Sequence, residues 1–175
     1  MKKLSILPVI ILVTLSITSC EKSKDIKISG DNLTMCEDNS TCNYSYLENA
    51  DIDSNMALKA GSYRLFIAES DYSSVVAQRT LYFKAPMEGN SFQINENAIK
   101  AGAVVYKFVC PTCNWIDYKP IAGYVKGINT TPDKPAAEAK WLIEASVILK
   151  ADLTDSEIRD TLYVKQYFVK ASPEF

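Results

Sequence analysis

Apolar and polar side chains alternate with a period of two through the last third of this chain. Over 141–150, Trp141, Ile143, Ala145, Val147 and Leu149 share one face, and Leu142, Glu144, Ser146, Ile148 and Lys150 share the other. Over 161–169, Leu162, Val164 and Phe168 alternate with Tyr163, Lys165, Tyr167 and Val169. Such alternation predicts strands with one buried face, and Trp141 heads a face that reads as core. The polar stretch 151–160 between them reads as a hairpin-like connection. Shorter runs bounded by turn residues predict strands over 62–68, 79–84, 91–94, 103–109 and 121–128. Gly123 and Gly127 lie inside the last of these, where glycine marks a bulge or a close backbone approach.

Helical signals are short. Stretches 95–100 and 135–140 reach only a turn or two. Seven or so strands at short intervals predict an all-β fold, an antiparallel β-sandwich, as a single domain over 34–175.

The N-terminal pattern differs. Lys2 and Lys3 precede 16 uncharged residues, Leu4 to Ser19, which contain Pro8 and end in Ile17-Thr18-Ser19 before Cys20. A spanning helix needs about 20 apolar residues, so a cleaved signal is the better reading. Small residues that stop at a cysteine fit lipid transfer followed by cleavage. Residues 1–19 are read as a lipoprotein signal peptide, and Cys20 as the mature N-terminus, acylated on its thiol and amine. Several acyl chains, at about 0.8 kcal/mol per buried CH₂, make a durable anchor. Residues 20–33 are then the lipidated N-terminus and a polar tether.

Beyond residue 19 the chain holds 17 basic and 21 acidic side chains, a net of −4. The charges are scattered and give no basic footprint for nucleic acid. There is no histidine. That absence excludes Ser-His-Asp and Cys-His catalysis, His-ligated zinc and haem attachment. Carboxylates are plentiful, but Glu144 and Asp117 carry no pattern that separates them from surface acids.

Four cysteines remain: Cys36, Cys42, Cys110 and Cys113. In an oxidising envelope two disulfides are the first expectation. Because a bridge across two intervening residues is demanding outside a helix N-terminus, long-range pairs joining the two halves are favoured. The alternatives are a zinc site with all four as ligands and a thioredoxin-like redox pair at Cys110-Pro-Thr-Cys113. Asn-Trp-Ile-Asp-Tyr-Lys-Pro follows that pair and reads as extended, which disfavours the redox context. Aromatic residues Trp115, Tyr118, Tyr163 and Tyr167, with Lys165, form a candidate binding surface for a glycan or a protein partner.

Lys2-Lys3, the lipobox-like Ile17-Thr18-Ser19-Cys20 and the polar Glu21-Lys22-Ser23-Lys24-Asp25 resemble the small lipoproteins of unknown function of the Bacteroidota. The resemblance implies outer-membrane residence, facing the periplasm or the cell surface. Together these readings predict a lipid-anchored envelope protein with a non-enzymatic binding or accessory role, for a protein partner or a glycan. The alternative is a zinc-binding or redox protein built on the four cysteines.

Overall fold

A computed structural model describes residues 26–113 and 116–171. The signal segment, Cys20, Trp115 and the last four residues lie outside the described residues. Nine strands make up most of the domain: β1 (Ser40–Ile52), β2 (Leu58–Ala60), β3 (Tyr63–Tyr72), β4 (Ala77–Ala85), β5 (Ser91–Ile94), β6 (Val104–Val109), β7 (Tyr118–Asn129), β8 (Lys140–Ala151) and β9 (Arg159–Lys170). The fold is all-β. The strands do not divide into two sheets, however. They hydrogen-bond in one path, β5-β7-β8-β9-β1-β3-β4-β6, with β2 added beside β1. All pairings are antiparallel except β1 with β9, which join in parallel at Ser45↔Val169 and Tyr46↔Lys170. That parallel junction links what would be the two layers of a sandwich.

The layers arise because the sheet curls. Phe66 of β3 and Phe92 of β5 lie far apart along the path, yet their rings stack with centroids 5.2 Å apart. Phe66 also meets Trp141 at 5.5 Å and Phe168 at 5.7 Å, edge to face. Alternate residues of each strand supply this interior, including Tyr46, Phe83, Ile143, Val147 and Leu149, as period-two patterning requires. Trp141 is 2% exposed. Burial of this kind is worth about 1.5–3 kcal/mol for each large side chain. A smaller cluster, Leu47, Leu65 and Tyr82 among it, occupies the other face of β1, β3 and β4.

Both strand glycines serve close approach. Gly123 has φ +116°, and a Cβ there would stand 1.9 Å from the Ser146 carbonyl oxygen. A Cβ at Gly127 would enter the Phe92 ring, 2.2 Å from Cε1. A register shift between Pro120 and Ala122 adds the bulge.

Between β5 and β6 the chain makes a helical wedge. Asn95 caps α1 (Glu96–Ala98), its Oδ1 accepting from the Ala98 amide at 3.0 Å. The helix widens through 99–103 and stops at Gly102, φ +88°, a left-handed position that suits glycine at a helix end. Ile99 is buried in the core, and the wedge packs against β7.

Candidate functional site

The curled sheet has two places where neighbouring strands fail to pair along their full length. One lies between β1 and β9, which join over only two residue pairs. Residues 34–37 fill it. The Thr34 amide donates to the Lys165 carbonyl at 2.9 Å, the Lys165 amide donates to Thr34 Oγ1 at 2.7 Å, and Gln166 Nε2 donates to the Thr34 carbonyl at 2.9 Å. Glu37 then takes Arg79 Nη2 at 2.7 Å and the Tyr72 hydroxyl at 2.8 Å. Arg79 and Tyr72 hold the Glu37 carboxyl below its usual range. Burial, and then the bond to Glu37, push the Tyr72 hydroxyl up to about 12. A cavity of about 150 Å³ remains beneath this plug.

The other place lies between the terminal strand β6 and the start of β7. β7 pairs with β5 only from Val125 to Ile128, and β6 touches β7 without pairing to it, beside the wedge at 96–103. The result is a cleft of about 500 Å³. All six residues of β6, from Val104 to Val109, line one wall, and residues 117–120 line the other. Val104 pairs with Phe83 and Tyr106 with Leu81, both core residues, so these β6 side chains point inward and form an apolar floor. Tyr118 and Pro120 pair with Ala151 and Leu149 and point the same way. Burial pushes the Tyr106 hydroxyl up to about 12. Charged groups at the rim are mostly paired, Lys119 with Asp152 at 2.7 Å and Lys100 with Glu96 in an i,i+4 pair.

Loops meet at the far end of the cleft. The Asp152 amide donates to the Asp117 carbonyl at 2.7 Å, and Cys110 lies against the Val75 carbonyl. Val75 and Val76 are exposed on the β3–β4 loop, and Leu153 and Ile158 on the β8–β9 loop.

The cysteines pair locally, Cys36 with Cys42 and Cys110 with Cys113. The long-range pairing expected from sequence is corrected. Tight turns replace the helix N-terminus that a short bridge was thought to need: the Ser40 amide donates to the Glu37 carbonyl at 3.1 Å, and the Cys113 amide to the Cys110 carbonyl at 3.2 Å. These turns bring the Cα atoms to 5.8 and 5.4 Å, within the range a disulfide spans. The four-cysteine zinc site fails on the same geometry. Cys42, Ser70, Arg79 and Phe108 lie in one cross-strand row, so the two pairs stand roughly 14 Å apart at a strand spacing of about 4.8 Å. Among the described residues no cluster of metal-ligating side chains forms. Nor does Cys110-Pro-Thr-Cys113 open a helix, since β6 runs into a turn.

The expected aromatic surface is divided. Tyr163, Lys165 and Tyr167 lie on the outer face of β9, where Tyr163 and Tyr167 are 46% and 36% exposed. Lys165 is only 8% exposed, and Gly30 rests against the Tyr167 hydroxyl. Tyr118 points to the opposite side, into the cleft, so it does not join them. Glu144 lies on the outer face, where it accepts the Tyr124 hydroxyl at 2.9 Å, while Asp117 sits at the cleft rim. The cleft itself was missed from sequence, because it depends on which strand edges remain unpaired. Comparison with family models, curated proteins and solved structures finds no match for this chain.

Proposed function

We propose that this chain is a non-enzymatic binding module, held at the outer membrane through acylated Cys20, and that the cleft between β6 and β7 receives its ligand. The observation that carries this reading is a mostly apolar cleft of about 500 Å³ lined by β6 and by residues 117–120. Sites for small molecules and chain segments have this size and an apolar lining with few polar groups. The lipid supplies location, and the tether keeps the binding face at high local concentration near the membrane.

The test uses the lipidated protein in detergent micelles and the anionic amphiphilic dye 8-anilinonaphthalene-1-sulfonate, with the signal of protein-free micelles subtracted. Dye fluorescence should rise on binding and fall back when Tyr106→Asp places a negative charge on the cleft floor. Equal binding by wild type and a folded Tyr106→Asp variant would refute the cleft reading. Anchoring is tested separately, since Cys20→Ala should move the protein from the membrane fraction to the soluble one.

A second reading has one specific observation behind it. On the outer face Tyr124, Ser146 and Tyr163 form one cross-strand row. The two tyrosines flank a small side chain at roughly 10 Å, two strand spacings, a spacing suited to stacking on a glycan. Loss of polysaccharide binding in Tyr163→Ala, with dye binding intact, would favour it.

A further inference from the structure

The cleft follows the whole of β6, from the wedge at Ile99 and Gly102 to the loops at Asp117 and Asp152. β6 has six residues, a length of about 17 Å at the rise of a strand. A volume of about 500 Å³ drawn out over that length leaves a mean cross-section of about 30 Å². A polypeptide strand packed among neighbours occupies about 48 Å², the product of the strand and sheet spacings. β6 and β7 are moreover already in contact. The cleft is thus too narrow for a further strand, and it suits a single unbranched chain that carries no side groups.

Polar groups on the lining are few. Lys119 is held by Asp152 at 2.7 Å, and Lys100 pairs with Glu96. Lys107 makes no ion pair among the described residues. Glu69, whose carboxyl feels the Lys107 charge, lies across Thr80 from it, roughly 10 Å away at two strand spacings. The Tyr106 and Tyr118 hydroxyls have no hydrogen-bond partner among the described residues. Burial pushes the Tyr106 hydroxyl up to about 12, so it keeps its proton and can donate.

We infer that the cleft binds a long-chain fatty acid, its hydrocarbon chain along the floor of Ile99, Val104 and Pro120 and its carboxylate at Lys107. This rests on the cleft reading above and names its ligand. Removing the methylenes from water supplies affinity without demanding a shaped ring or a polar side chain. The carboxylate gives Lys107 a charge-assisted hydrogen bond, and the two tyrosine hydroxyls offer further donors on the same lining. A neutral chain of equal length would fill the cleft but leave Lys107 without a counter-charge.

The experiment uses the lipidated full chain in lipid nanodiscs, with hexadecanoic acid bearing a photoreactive diazirine near its methyl end as the probe. Irradiation should attach the probe to peptides that hold β6 or residues 117–120, mapped by mass spectrometry of the digest. Unlabelled hexadecanoic acid should suppress that labelling at a concentration at least about tenfold below the one hexadecanol needs, since a charged partner adds that much to a hydrogen bond. In Lys107→Glu the preference for acid over alcohol should shrink to less than about twofold, and Lys107→Arg should restore it. A merely unfolded variant would lose both competitors alike. Labelling that misses the cleft, or that hexadecanoic acid does not suppress, overturns the inference. So does equal competition by the alcohol, and so does an unchanged preference in Lys107→Glu. If the dye still binds wild type and not Tyr106→Asp in those cases, the cleft stands and only its ligand is wrong.

Discussion

Two gaps interrupt the same curled sheet, and the chain treats them in opposite ways. Between β1 and β9, residues 34–37 enter the gap, satisfy the backbone of Lys165, and are fastened by Cys36–Cys42 and by the Glu37 contacts to Arg79 and Tyr72. Between β6 and β7 the strands touch without pairing, the helical wedge packs against both, and Cys110–Cys113 tightens the loop that joins them. A buried backbone edge without partners is costly, so one gap is filled from within. The other keeps an apolar floor beside a strand edge. That contrast separates a seam the chain fills from one it leaves as a cleft.

The largest expected effect tests what both seams depend on. Phe66 touches Tyr46, Phe92, Trp141 and Phe168, so it joins the two halves of the curl. Phe66→Ala should lower unfolding free energy by about 3–5 kcal/mol in a denaturant titration. Tyr118→Ala, at the cleft wall, should cost clearly less while removing dye binding. Equal losses would mean that the cleft is ordinary core.

The disulfides come next. In the chain-entropy relation, removing Cys36–Cys42 as a double serine variant costs about 2 kcal/mol, and removing Cys110–Cys113 costs about 1.5 kcal/mol. The sharper distinction is local. Only the first should speed hydrogen exchange at the Lys165 amide, because only that bridge fastens the plug. If both variants leave Lys165 protected, the plug does not depend on its disulfide.

Acid should loosen the plug and spare the cleft. The Glu37 carboxyl is held low by Arg79 and Tyr72, so the folded state favours its ionised form. Its contribution is complete above the usual value of 4.5 and is lost as pH falls through the lower folded value. Protection at Lys165 should decline on acidification below pH 4.5 in wild type, with no such step in Glu37→Gln. The smallest effect belongs to the outer face, where Tyr163→Ala should change stability by less than about 0.5 kcal/mol.

Much of this fold was legible because local pattern and final environment agree. The alternating faces over 141–150 and 161–169 became β8 and β9 with the expected sides inward, and 91–94 became β5. Gly123 and Gly127 marked two close approaches, and the bulge fell before them, between Pro120 and Ala122. β1 went unseen: Asn43, Ser45 and Glu48 give it the look of a loop, and only Tyr44 and Tyr46 hint at its inner face. The disulfide pairing was misjudged because tight turns, not distance along the chain, bring the cysteines together. Of the aromatic residues singled out, Tyr118 belongs to the cleft, but no local pattern reveals that the start of its strand pairs with β8 and not with β5. An unpaired edge is a property of topology, set by the wedge at 96–103 and by the shortness of β5.

Residue-resolved hydrogen exchange on the free protein tests the difference between the seams most directly. Along β6 from Val104 to Lys107 the amides facing β4 should exchange slowly and those facing the cleft fast, beside a slow Lys165 amide at the filled seam. Unbroken protection from Val104 to Lys107 would show that this stretch is already paired and that the cleft is no site.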